Sequence, residues 1–443
     1  MSGLSSLGAA PALVLAGGLL ALVLWLSWRQ PTWLFLLALA ALALRPQLLW
    51  GGPSVGYEWG LHQTLLVYAL AVNALHFGVR RTPNWPILAL LATFCLSLAF
   101  GNLHPKLTPA FMIESLAVLA LPFAFTQVVL EPGSRRACAL VIMLTPLLSV
   151  ALGAVLDAFA ISPLFLHEWA GAYRLMGAAG NAPVFATLAF AGMVVALHES
   201  TRRGRWYAGP LAAANFALVV LSATRMAVLA SAIFVVAYGI LSPDLRARLR
   251  AHWGIAALGL ALAGGALLLY WPTLEARMFT GESGAISLSG RDDLWSFYYQ
   301  EFLLSPIAGR GPGAGFIAAS DWKPGLATPH NEYLHLLVVG GVAGALLIIA
   351  GVTAWYRGLL LTASPNDRAC LVALIPALAL YAVTDNLSFY TSALALYAYL
   401  GVLMTRPSPL AVYAAQAAAE QAAESSDAMG DSDALQKPGA ARL

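Results

Sequence analysis

The stretch ATPHNEYLHLLVVGG, residues 327–341, carries a polar loop into an apolar helix and places an ionisable ring at the junction. Thr328 and Pro329 read as the helix start, with Pro329 at the first helical position. His330 then falls in the first turn, where the helix dipole disfavours an imidazolium and keeps the ring neutral. A neutral ring nitrogen can accept a proton, which is the task of a general base near neutral pH. Two arginines stand beside other helix starts: Arg174 shortly before Asn181, and Arg225 directly after Ser222 and Thr224. Helix N-termini attract phosphate-like anions, and a guanidinium can grip a phosphate through two parallel hydrogen bonds. The pattern describes an anion site with a proton acceptor beside it. His335, five residues on, faces another side of the helix and reads as packing. No second His, Cys or carboxylate stands at a zinc spacing, and the Asp292–Asp293 pair has no evident partner, so no metal is expected.

The elements that must position these residues are membrane helices. The chain has 443 residues, 60% hydrophobic and 10% charged, against about 25% charged in a soluble domain. Its length divides into about 12 apolar runs of crossing length, so the expected fold is an all-α polytopic membrane protein. The front is ambiguous, since 9–28 and 32–50 fit one span or two. A cleavable signal peptide is not expected, because the N-terminus lacks a basic region. Cys95, Cys138 and Cys370 lie in or beside apolar runs and read as small buried hydrophobes, with no disulfide framework.

Arginines crowd one set of alternate loops, among them Arg135, Arg136, Arg202, Arg205, Arg246, Arg248 and Arg250. That set is expected to be cytoplasmic, together with the C-terminus. Residues 1–406 then form one transmembrane domain, and 407–443, rich in Ala, Gln, Ser and Asp, a disordered tail. The largest loop, 272–329, faces the opposite side and contains RDDLWSFYYQEFLLSP, an amphipathic helix with Leu294, Trp295, Tyr298 and Phe302 on its apolar face. After it, IAGRGPGAGF is a Gly/Pro turn region that lets backbone approach something closely. Glu114, Asp157, Arg174, Arg225, His330 and Asp385 all fall near the same outward ends. Singly, each also fits a structural ion pair or a packing role. As a group confined to one leaflet they favour a functional cavity.

In order along the chain, RLMGAAGN (174–181), LSATR (221–225), SGRDDLW (289–295), SPIAGRGPGAGF (305–316) and HNEYLHLLVVGGVAG (330–344) resemble the motifs of the O-antigen ligase and polymerase superfamily. Within it the chain most resembles the O-antigen ligase family of lipopolysaccharide assembly. The resemblance implies a lipid-carrier-dependent glycosyltransferase fold in the bacterial inner (cytoplasmic) membrane. The implied reaction moves a polysaccharide from undecaprenyl pyrophosphate to lipid A–core at the periplasmic face, with inversion and without metal or other cofactor. Carried over by motif, His330 is the general base, while Arg225 and Arg291 bind the pyrophosphate and Arg174 is a third anion-binding residue. Asn331, Tyr333, Asn181 and Asp385 take supporting roles. Many superfamily members carry a Glu before the last G-x-x-G; Val339 stands there in this chain, so any role of that Glu is not transferred. The implied partners are the two lipid substrates and membrane lipids, not nucleic acid. An O-antigen polymerase or a protein O-oligosaccharyltransferase would use the same donor class with a different acceptor. A lipid-linked sugar transporter is the alternative from another class, disfavoured because no inverted repeat is visible and the polar residues collect at one face.

Overall fold

The computed structural model describes residues 9–45, 57–80, 82–131, 133–167, 173–202, 205–251, 291–322, 330–385 and 391–403, with scattered helical and strand positions between 254 and 286. The expected tail at 407–443, the expected helix start at Thr328 and Pro329, and half of the apolar run at 252–271 lie outside the described residues. The described residues belong to one compact unit, Met1–Met404.

In chain order the helices are α1 (Ala9–Arg29), α2 (Pro31–Ala40), α3 (Tyr57–Phe77), α4 (Trp85–Phe100), α5 (Pro109–Ala124), α6 (Ser134–Ala158), α7 (Ala182–Ser200), α8 (Ala208–Leu221), α9 (Arg225–Leu241), α10 (Pro243–Ala251), α11 (Arg291–Leu303), α12 (Ala314–Trp322), α13 (Glu332–Thr362), α14 (Pro365–Thr384) and α15 (Leu394–Leu403). Several open alike. Asn84, Thr108, Asn181 and Ser364 each precede a proline in the first two positions, and each side-chain oxygen accepts the amide three residues on. The side chain satisfies an amide the helix cannot, and the proline removes another that would have had no partner.

By length and composition α6, α7, α13 and α14 can each cross a bilayer, and a fifth crossing arises if α9 and α10, bent by 93° across Ser242, count together. Six further apolar stretches form shorter helices. The chain is thus an all-α membrane protein, with one qualification. Two short antiparallel pairs lie in its connections: β1 (Phe165–His167) with β2 (Tyr173–Leu175), and β3 (Phe279–Thr280) with β4 (Ala285–Ile286). Sequence periodicity misses them because two or three residues are too few to display an alternation.

α7 is apolar around its circumference and buried almost along its whole length, as such a helix must be. It forms the middle of the bundle, with α6 and α8 against it. There Asn215 of α8 donates to Met143 O of α6 at 3.0 Å. α4 and α13 approach through small residues: a Cβ at Gly344 would stand 2.5 Å from the Thr93 methyl, and one at Gly351 2.7 Å from Ala89 Cβ. Close backbone approach of this kind is how helices associate without a solvent-driven force between them. α11 turns Leu294 and Tyr298 inward onto Ala319 of α12 and Val338 of α13, with Phe302 beside them. Of the apolar face read from the sequence, Leu294, Tyr298 and Phe302 are thus turned onto protein, and Trp295 is not part of this cluster.

Candidate active site

Arg174 stands on β2 and is 6% exposed. Its Nε donates to Ser222 O at 3.0 Å and its Nη2 to Thr224 Oγ1 at 3.1 Å. These acceptors flank Ala223, whose φ of 49° is left-handed, an uncommon state for a residue with a Cβ. Arg225 follows as the first residue of α9. Arg174 therefore pins the turn that presents Arg225. Thr224 occupies the N-cap position but makes no side-chain cap bond; its hydroxyl serves Arg174 instead. From β2 the chain passes through Gly180, at φ 64°, to Asn181, which caps α7 at Val184 N.

The second half of the site departs from the expectation at its first step. α13 opens at Glu332, because Asn331 Oδ1 accepts Leu334 N at 3.0 Å and ends the capping requirement there. His330 consequently lies one residue ahead of the cap, not in the first turn, so the dipole argument does not apply to it, and its ring meets a carboxylate directly. Its Nδ1 is 3.4 Å from Asp385 Oδ1. The Asp385 side chain is 3% exposed and the His330 side chain 29% exposed. His330 also has a left-handed φ of 50°, a conformation costing about 1–3 kcal/mol that persists only where the surroundings over-determine it. Three described non-glycine residues have positive φ, Ala160, Ala223 and His330, so two of the three belong to the turns that carry Arg225 and His330.

Tyr381 joins the halves. It lies four residues before Asp385, at the end of α14, and its hydroxyl meets Thr187 Oγ1 of α7 at 2.8 Å. The structure thus pairs His330 with Asp385 and ties the end of α14 to α7, while Arg225 stands one residue beyond the Thr224 that holds Arg174, and Arg291 opens α11. Asn331 and Tyr333 serve helix geometry: the first is the cap, and the second donates from its hydroxyl to Ala379 O at 2.9 Å. His335 is fully buried and packs on Phe316, as its side of the helix foretold. Glu114 and Asp157 are exposed. Sequence reasoning missed Tyr381 and Thr187; the only signal for Tyr381 is its four-residue spacing from Asp385.

An apolar groove between α4, α5, α13, α14 and α15 begins at the largely buried Glu332 and continues past Leu336, Ile348, Val352, Ile375 and Leu378. Among the described residues no group of three His, Cys, Asp or Glu side chains gathers as a metal cluster. Chemically, a carboxylate behind Nδ1 holds that nitrogen as the donor and leaves Nε2 to accept a proton. The neighbouring guanidinium groups can neutralise an anion that forms or departs nearby.

Residues 210–349 match the family model described as O-Antigen ligase. The matched segment contains Arg225, Arg291 and His330, and ends before Asp385. No curated protein matches the chain.

Proposed function

This chain carries an O-antigen ligase family domain at residues 210–349, and from that premise we propose that it joins a finished O-antigen polysaccharide to lipid A–core. Its function is of the O-antigen ligase/polymerase type and it is a membrane protein. The donor is polysaccharide on undecaprenyl pyrophosphate, and the acceptor is a sugar hydroxyl of lipid A–core. His330 Nε2 takes the hydroxyl proton while the oxygen attacks the anomeric carbon from the face opposite the leaving group. The anomeric C–O bond breaks and its electron pair leaves with undecaprenyl pyrophosphate, so the configuration inverts. Arg225 and Arg291 hold the pyrophosphate oxygens, and Arg174 keeps the Arg225 turn in place and adds its charge. Asp385 faces the imidazolium that forms. A lipid pyrophosphate is already a good leaving group, so fixed guanidinium charges can do the work that a divalent cation does elsewhere.

The site faces the periplasm in this reading, within a bundle of about 12 spans in the inner membrane whose Arg-rich loops and C-terminus are cytoplasmic. Segment 272–329 then forms the large periplasmic loop. The groove beginning at Glu332 offers a lipid-linked substrate an apolar path beside the base. The observation that carries the proposal is the contact of the partly exposed His330 ring with the buried Asp385 carboxylate.

The test is glycan transfer from an undecaprenyl-pyrophosphate donor to lipid A–core by purified full-length protein in EDTA, wild type against His330→Ala. Metal-free transfer by wild type, lost in a folded His330→Ala, is the expected result. A wild type inert towards lipid A–core that extends the donor glycan or glycosylates a protein points to the polymerase or the oligosaccharyltransferase. A fully active His330→Ala removes the ring from the mechanism.

A further inference from the structure

The helix that follows His330 is broken. At Gly341 the backbone leaves the helical region, with φ 60° and ψ −167°. In an unbroken helix the amides of Val342 and Ala343 would donate to the carbonyls of Val338 and Val339. Here Val342 N donates to Pro306 O at 2.8 Å and Ala343 N to Ile307 O at 3.1 Å. The two vacated carbonyls are taken by the same strap: Arg310 N donates to Val338 O at 2.8 Å and Gly311 N to Val339 O at 3.0 Å. Two intrahelical bonds are thus replaced by four bonds to residues 306–311. Such a break is tolerated at membrane depth only where protein re-satisfies the backbone.

The Gly-rich composition of the strap now has a physical reason. A Cβ at Gly309 would stand 2.3 Å from Val339 O, and one at Gly341 2.3 Å from Ile307 O. Ser97 of α4 closes the arrangement from behind, donating to Ala308 O at 2.7 Å. The described part of the 272–329 loop is therefore keyed into the bundle.

The strap bears one charged side chain. Arg310 is buried, ion-paired to Glu301 of α11, and donates from Nε to Asn102 O at 3.4 Å. α11 begins at Arg291, and a second buried bond, Tyr298 hydroxyl to Gly315 O at 2.6 Å, ties the same helix to α12. A continuous line of contacts runs from Arg291 along α11 to Glu301, across to Arg310, through its own amide to Val338, and back along the first turns of α13 to His330.

We propose that Arg310 is a positioning residue for the transfer reaction: paired with Glu301, it fixes α11, and so Arg291, against the half-helix that carries His330. The inference rests on the roles given above to Arg291 and His330. Its consequence is that the leaving pyrophosphate and the proton acceptor keep a constant offset, which a binding contact alone would not secure.

Two readouts test it on the full-length purified protein, using Arg310→Gln, Glu301→Gln and the exchanged pair Glu301→Arg with Arg310→Glu. In transfer kinetics either single substitution lowers kcat by about 100-fold, the effect of misplacement by about 1 Å, while the KM for donor changes little. The exchanged pair recovers a substantial part of kcat. In hydrogen–deuterium exchange without substrate, the single substitutions accelerate exchange in 291–303 and 338–343 together, and the exchanged pair restores protection. An unchanged kcat in a folded Arg310→Gln overturns the proposal, as does a loss confined to KM. Should Arg310→Gln fail to fold, Glu301→Gln carries both readouts. A wild type inert with lipid A–core counts against the ligase reading, and exchange then decides the coupling alone: unchanged protection of α11 overturns it.

Discussion

His330 and Asp385 form a pair in which the carboxylate is almost dry and the ring is not. This suits a base that must meet a substrate while its far nitrogen stays fixed. Asp385→Asn keeps the shape and removes the counter-charge for the imidazolium. Its kcat should fall by at least about 10-fold, yet less than the loss of about 10²–10⁴-fold expected when His330→Ala removes the base outright. Steady-state transfer rates of the two variants at saturating donor check the ordering. Arg174→Lys is the companion case, since an ammonium cannot span both Ser222 O and Thr224 Oγ1 as the guanidinium does. It should raise donor KM about 10-fold, equivalent to losing a charge-assisted bond of about 1.5 kcal/mol, because the turn presenting Arg225 loosens. Titrating donor at fixed acceptor measures this.

Among the helices, α13 shows best what its sequence announces and what it conceals. The polar residue and proline that open other helices drew attention to Thr328 and Pro329, while the cap in use is Asn331, three positions later. Several neighbouring residues in ATPHNE are acceptable caps, and propensity ranks Thr and Asn too closely to choose between them. Asn331→Ala should cost about 1 kcal/mol of stability, seen as a lowered thermal midpoint in detergent, and Asn331→Asp should recover most of it. Gly341→Ala belongs to another class. Its Cβ would meet the Ile307 carbonyl on a backbone with left-handed φ, so the strap must be displaced. A loss of about 3 kcal/mol or more is expected, against which the same thermal measurement is read.

Across the whole molecule, the end away from the candidate site is closed by a buried ionic cluster. Glu199, fully buried, meets Arg135 and Arg202 at 3.4 Å and the Tyr399 hydroxyl at 2.6 Å. Asp367 meets Arg135 at 3.1 Å, Arg202 at 3.0 Å and His198 Nε2 at 3.1 Å. The cluster binds the ends of α6, α7, α14 and α15. In the sequence these arginines read only as a marker of topology; in the fold they also hold helices together. Glu199→Gln leaves the partly exposed Arg135 and Arg202 with less counter-charge, and weakening charge-assisted bonds to a buried carboxylate costs about 1.5–3 kcal/mol. Thermal unfolding should show that loss, while transfer per folded molecule stays near the wild-type rate.

The sequence alone determined what depends on composition and on neighbours along the chain. Its 60% hydrophobic content requires a bilayer, its Asn, Thr and Ser residues before prolines mark helix starts, and its motifs single out Arg174, Arg225, Arg291 and His330. These features are local, so a linear reading reaches them. Only the tertiary structure decided that His330 faces Asp385 across 55 positions, that Arg174 is held by Thr224 across 50, and that the strap at 306–311 fills the break in α13. Helical periodicity says which side of a helix is apolar, but not which partner that side meets or how far along its axis the partner lies. Contacts between distant segments depend on that axial offset, which the packing of small residues such as Gly344 against Thr93 sets.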